Sequence, residues 1–316
     1  MQRKLLASAL GAIGLSAAVC ASAGTLDWKC ESKFGPNDQA GNANYITPEK
    51  TLAATKLVTK GKAYRLGIEV NSKTPAYPPR YFTVTVVQPG QTNGATIGPN
   101  KITYNDDLIA GWNGVGPQFD GFGHIGIDGV YYNCNKGDIG KITGLSKLGI
   151  ETVPAIATRG IVLDMAGLMG VDIIKEGTAF NRAEIEAAMK RQGVKSIDKG
   201  DVVLFHTGWV NLIGKDDKRY SSGEPGLGLD GARYLAERGV AAVGADTWGL
   251  EVVPFEKDAG VFEVHQILIP INGIYILENI NTEELVKDQA WEFLFTVGPA
   301  RMTGAVQAII NPIAIK

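Results

Sequence analysis

The sequence predicts a single α/β domain built on a mixed sheet, on three observations. Apolar strand-type runs alternate with amphipathic helical stretches through the C-terminal half. Strand candidates also crowd both ends of the chain with helices between them, which argues against the even βα repeat of a TIM barrel. No composition shift, linker or internal repeat divides the chain, so one core is expected.

The elements follow in order. Residues 1–23 read as a secretory signal: Arg3 and Lys4 are basic, an apolar run follows, and Ala21-Ser22-Ala23 has the small-x-small pattern of a cleavage site. The apolar run is shorter than the ~20 residues a membrane span needs, and Val19 before Cys20 does not suit a lipobox. The expected product is a periplasmic or secreted domain, 24–316. Its first part, 24–62, is an arm that is turn-rich around Gly35-Pro36 and carries a short helix introduced by Thr47-Pro48-Glu49. Strands are predicted over 63–70 and 81–88 from their β-branched and aromatic content. A long irregular stretch, 89–140, follows; loops of that length are usually functional.

Beyond it, 160–165 reads as a strand ending in Asp164. The segment 181–193 is a helix with a capping box, Asn181 with Glu184, closed by Gly193. Strands over 201–206 and 240–244 enclose a helix over 230–237. Further strands are expected over 261–269, 274–277 and 292–297, with a short helix over 283–288. A turn at Asn272-Gly273 would fold 274–277 back onto 261–269 and bring Glu278 near His265.

Bulk composition excludes some functions. With 31 basic and 33 acidic side chains, the formal net charge is −2, which gives no electrostatic reason to expect nucleic acid or an anionic membrane. Forty glycines in 316 residues exceed the usual ~7% and are scattered, so many tight turns are expected. Signal cleavage would remove Cys20 and leave Cys30 and Cys134. In an oxidising compartment these two suggest one disulfide tying the arm to the segment after residue 128. The alternative is two unrelated thiols.

The chemistry-bearing stretch is Gly114-Val-Gly-Pro-Gln118-Phe-Asp120-Gly-Phe122-Gly-His124. Its glycines disfavour a helix and suit a loop that approaches a ligand closely. His124 is one of only three histidines and lies four residues after a carboxylate. His206 ends an apolar strand, where a hydrogen-bonded core role is ordinary. His265 gains interest from Glu278, a plausible partner in a metal site. Gly226-Leu-Gly-Leu-Asp-Gly231, with Glu251 about twenty residues on, matches the dinucleotide fingerprint in spacing alone, because the strand required before the first glycine is missing. A nicotinamide-dependent enzyme would rest on that match only.

Several blocks in order are similar to the cyclase family of metal-dependent hydrolases, which includes kynurenine formamidases and isatin hydrolase. They are the arm around Phe34–Asn44, Thr158–Asp164, Gly200–Trp209, Val243–Thr247 and Glu263–Pro270 with Leu277-Glu278-Asn279. The resemblance implies a barrel-like mixed sheet with flanking helices, in a homodimer or homotetramer. It implies a small-molecule substrate with an amide, cyclic amide or lactone bond, in an arylformamidase-like reaction whose family context is tryptophan catabolism.

The family signature H-x-G-T-H-x-D-x-P-x-H aligns on Asp120. It then implies Asp120 as a metal ligand and His124 as the residue that moves protons, with His265 and Glu278 as later ligands. Its two metal histidines fall on Gly114 and Gln118. The remaining donors, Asp120, Gln118, His265 and Glu278, are mostly oxygen, a set that suits manganese or magnesium as well as zinc. Loss of the metal, leaving a periplasmic binding or scaffold protein, is the alternative reading. Trp112, Phe119, Phe122, His206 and Trp209 are candidates for lining the substrate pocket.

Overall fold

The computed structural model describes residues 28–87 and 94–316; the expected signal segment lies outside them. Nine strands form one curled sheet resembling half a barrel. We number the strands β1 (Ala63–Arg65), β2 (Phe82–Val87), β3 (Asp106–Gly111), β4 (Gln118–Asp120), β5 (Ile156–Asp164), β6 (Val202–His206), β7 (Ala242–Ala245), β8 (Tyr275–Glu278), β9 (Glu292–Val297), β10 (Gln307–Ile309) and β11 (Ile313–Ile315). The sheet order is β1-β11-β9-β5-β6-β7-β8-β4-β10. The four central strands β5 to β8 run parallel, and every pairing outside them is antiparallel. Parallel strands covered on both faces read as continuous apolar runs, and Val202–His206 is buried throughout. The sheet is mixed, as the sequence predicts.

The helices are α1 (Pro48–Thr55), α2 (Met165–Met169), α3 (Arg182–Gln192), α4 (Asp217–Ser222), α5 (Leu229–Arg238), α6 (Glu263–Gln266) and α7 (Glu283–Lys287). Thr47 caps α1 through Lys50 N, and Asn181 with Glu184 closes the capping box of α3. Gly193 ends α3 at φ 73°, a left-handed conformation that other residues adopt only at a cost. Helices α1, α3 and α7 all pack on β5, the longest strand, around a core that includes Ile161, Leu163, Phe205 and Phe293.

The stretch 89–140 holds more regular structure than its glycine content suggests. Its described part supplies β3, which pairs with β2 in a hairpin, and β4, which lies inside the main sheet. The larger correction concerns 261–269, which is not a strand. It begins as helix α6 and continues as a π-helical turn, Ile267–Ile271. A short apolar run of this kind fits a buried helix as well as a strand by periodicity alone. Here the Glu251 carboxylate accepts from His265 N, a donor of the first turn, and the Glu263 carboxylate accepts from Gly260 N in the approach to the helix. The expected hairpin is therefore absent, and β8 pairs with β7 and β4 instead.

The arm is fixed by polar contacts. Cys30 and Cys134 form a disulfide across 104 residues. Beside it, Asn133 accepts from Ser32 N and donates to the carbonyls of Gly35 and Asp38. Asn42 N donates to Gly273 O, and the Asn42 amide donates to Val240 O.

Candidate active site

The site grows out of sheet register. In β4, Gln118 and Asp120 share one face and Phe119 takes the other, because side chains alternate along a strand. Phe119 packs on Tyr275 with ring centres 4.7 Å apart. On the opposite face, Gln118 pairs across the strands with Glu278 of β8, and Asp120 with Gln307 of β10. The antiparallel ladder thus sets four polar side chains side by side, all buried.

Their contacts are specific. The Gln118 amide nitrogen donates to Glu278 Oε2 at 2.5 Å and lies 3.3 Å from Asp120 Oδ1. Gln307 Nε2 donates to Asp120 Oδ1 at 2.7 Å. The other oxygen, Asp120 Oδ2, is buried and has no hydrogen-bond partner. His124 follows in a turn closed by its own N–H on Gly121 O, and its Nε2 lies 3.8 Å from Asp120 Oδ2. His265 enters from α6 with Nε2 3.3 Å from Glu278 Oε1, while its Nδ1 meets Glu251 Oε2 at 2.7 Å. The turn imagined between His265 and Glu278 does not exist, yet helix and strand still bring the two together.

Charge is concentrated here. Burial and the neighbouring Asp120 push the Glu278 carboxyl up to about 7, only partly offset by His265 and Arg80. Burial alone would lower His265, but Glu251 and Glu278 overcome it and raise the imidazole to about 10. Burial is the main influence on His124, opposed by Asp120 and reinforced by His265 and Arg80, and it holds the ring below its ordinary value.

Asp120, His265 and Glu278 offer ligand atoms that all lie within 4.8 Å of one another. Two carboxylates, one of them with an orphaned buried oxygen, and an imidazole fit a divalent cation, since an uncompensated buried anion is costly. Glu251 supplies the outer contact that metal-binding histidines commonly make through the second ring nitrogen.

A cavity of about 140 Å³ opens onto this cluster, lined by Gln118, His124, His265 and Glu278 with Tyr77, Arg80, Trp248 and Phe262 among its walls. A larger open groove of about 890 Å³ runs beside Ala63–Val70. It shares no residue with the smaller cavity and contains no histidine, so the smaller one is the chemical site.

The sequence-nominated wall residues lie elsewhere. Phe122 is core, stacked on Tyr275 at 4.2 Å. Phe119 is equally enclosed. Trp209 is fully buried in a satellite cluster with Leu212 and Tyr220. Trp112 is 47% exposed at the end of the β2–β3 hairpin. His206 is a core histidine bonded to Thr282 Oγ1 at 2.9 Å, with Asp246 3.5 Å away.

Sequence reasoning missed Arg80, Tyr77, Trp248, Phe262, Gln307 and the role of Glu251. The last had a signal, misread. Glu251 is the acidic residue of the apparent dinucleotide fingerprint, but it serves His265. The glycines of that motif admit close packing, Gly226 against Leu250 and Glu251, and Gly231 against Phe180. The first N–H groups of α5 are taken by Glu256 and Asn181, which leaves no cradle for a phosphate.

Comparisons with known proteins agree with this architecture. A family model described as "Putative cyclase" matches residues 64–252. The crystal structure of a novel cyclase is 32% identical, with a TM-score of 0.81, covering 90% of this chain and 96% of its own. Isatin hydrolase A from Ralstonia solanacearum shares the fold at 17% identity and a TM-score of 0.59, over 85% of this chain and 98% of its own. A potential metal-dependent hydrolase with cyclase activity does so at 17% identity and 0.53, over 80% and 98%. No curated protein shows significant sequence similarity to the chain.

Proposed function

The chain belongs to the cyclase family, and on that premise we propose that it hydrolyses amide, cyclic amide or lactone bonds of a small molecule, in an arylformamidase-like reaction. The observation that carries this reading is the orphaned Asp120 Oδ2, buried within reach of His124 Nε2 and grouped with His265 and Glu278. Asp120, His265 and Glu278 would hold a divalent ion, manganese, zinc or magnesium, with Gln118 steering the carboxylates. Such an ion lowers the pKa of a water and polarises a carbonyl. The protein's own part is proton handling. His124, kept neutral by burial, accepts a proton from the attacking water at Nε2 and returns it to the leaving nitrogen or oxygen.

A second reading, a metal-free binding protein, is favoured by Gln118, whose amide already satisfies Glu278 and approaches Asp120. Metal analysis of protein purified without chelator, followed by assays on formylkynurenine, isatin and simple lactones with and without added Mn²⁺ or Zn²⁺, separates the two. Bound metal and metal-stimulated hydrolysis are expected. Neither would leave the binding protein.

The reading extends to compartment and assembly. The Cys30–Cys134 disulfide supports an oxidising, periplasmic or extracellular setting, and no helix among the described residues is long and apolar enough to cross a membrane. The β2–β3 hairpin exposes Val84, Val86, Leu108 and Ile109. A homodimer or homotetramer would cover such a patch; a monomer by light scattering at micromolar concentration would refute this.

A further inference from the structure

Gly114 stands where the family signature carries a histidine, and another side chain fills the space that residue would need. A Cβ built at Gly114 would lie 2.5 Å from Arg80 Nη1 and 2.9 Å from its Cζ. Arg80 arrives from a turn closed by its N–H on Tyr77 O, and Nη1 donates to Gly114 O at 3.1 Å. The absence of a side chain at 114 is what lets the guanidinium sit against that backbone.

Among the described residues Arg80 has no ion-pair partner: no carboxylate oxygen lies within 4.0 Å of it, whereas Arg159, Arg182, Arg191 and Arg219 each have one. A guanidinium carries five N–H donors in a planar fork that matches a carboxylate. Here one internal contact is made, to Gly114 O, and the side chain lines the catalytic cavity.

The other walls define the companion group. Tyr77 lies 5.9 Å from Trp248 and 6.5 Å from Phe262, ring centre to ring centre, and Phe262 lies edge-on to His265 at 5.2 Å. A cavity of about 140 Å³ is comparable to the ~150 Å³ that accommodates a benzene ring. The cavity thus combines a guanidinium and aromatic rings with His124, His265 and Glu278 in one lining.

We infer that Arg80 is an anion anchor, and that the pocket takes a compound about one aromatic ring in size whose carboxylate pairs with the guanidinium. This narrows the substrate class of the proposed hydrolase and rests on that reading only for the identity of the bond broken. Anchoring would serve a binding protein equally. The guanidinium also explains how an anionic ligand is held beside Asp120 and Glu278, which would otherwise repel it.

The test is calorimetric titration of the purified protein, with and without Mn²⁺, using benzoate and its uncharged isostere benzamide. Benzoate should bind at least ~10-fold more tightly than benzamide with or without the metal, as a charge-assisted bidentate pair warrants. Arg80→Gln should bring benzoate down to the benzamide level and leave benzamide unchanged. If that variant does not fold, Gly114→Ala crowds the guanidinium while keeping the arginine, and should selectively weaken benzoate. Equal binding of the two ligands by the wild type, no binding of either, benzoate affinity that needs Mn²⁺, or benzoate affinity insensitive to the folded variants would overturn the anchor. Loss of the hydrolase reading alone would leave selective benzoate binding intact, so the two failures are distinguishable.

Discussion

Gln118 and Glu278 face each other across the antiparallel β4–β8 pair, with the glutamine amide nitrogen 2.5 Å from the carboxylate. The resemblance puts a metal histidine of the family signature at position 118, so on the proposed reading this pair marks where a nitrogen ligand is replaced by a neutral amide. Gln118→His should restore an imidazole beside Asp120, His265 and Glu278 and shift preference from manganese toward zinc. Zinc affinity by competition titration should rise about tenfold or more, equivalent to about 1.4 kcal/mol. Unchanged zinc affinity would mean that residue 118 does not face the ion.

In the proposed reaction His124 carries the proton, and Asp120, His265 and Glu278 serve as ligands. Its replacement by alanine should lower kcat by ~10²–10⁴-fold, the usual worth of acid–base assistance. Only 19% of the side chain is exposed, but it makes no short hydrogen bond, so stability should stay within about 1 kcal/mol. Turnover at the wild-type rate in a folded H124A protein would remove the residue from the mechanism.

Glu251 touches no cavity space and acts through His265. Glu251→Gln keeps the size of the side chain but removes the charge that steadies Nδ1. Loss of an outer contact of this kind typically weakens metal affinity ~10–100-fold. The variant should therefore bind Mn²⁺ more weakly by calorimetry, and because it also breaks a buried pair it should unfold at a lower temperature. A lowered unfolding temperature with full metal affinity would reduce Glu251 to a structural role.

Much of this was legible in the chain. Asp120 and His124 stand out as a carboxylate and a histidine in a glycine-rich loop, with their roles implied by the resemblance, and capped helices such as α3 are set by local chemistry that a short window contains. What escaped depends on long-range pairing. Gln307 reaches Asp120 from 187 residues away, and nothing in either segment signals it. The α6 segment escaped because Glu263 and His265 alternate with Val264 as in a strand, and four residues of helix are too few to show a helical period. Tyr77, Trp248 and Phe262 were passed over for Trp112 and Trp209, because an aromatic residue looks the same in sequence whether it lines a cavity or fills a core. Arg80 was missed because its role follows from an absence at Gly114.

The arm that closes over the segment after the site offers a prediction about acid. The Asp38 carboxylate accepts from Ser32 Oγ, Tyr132 Oη, Asn44 Nδ2 and the N–H groups of Ala40 and Gly41. Partial burial pulls its pKa upward, but the hydrogen bonds from Tyr132, Ala40, Asn44 and Ser32 outweigh it and hold the group below 3.8. A carboxyl lowered on folding stabilises the native state fully above its unfolded value and loses that contribution as pH falls through the folded value. Hydrogen bonds to a charged group are worth about 1.5–3 kcal/mol, so Asp38→Asn should cost roughly that amount at pH 7. The gap between wild type and variant in urea unfolding should then narrow as pH falls below the ordinary carboxyl value and through the lowered folded value, where the wild-type carboxylate protonates. A gap that stays constant with pH would mean that packing of the arm, and not the charge on Asp38, holds it in place.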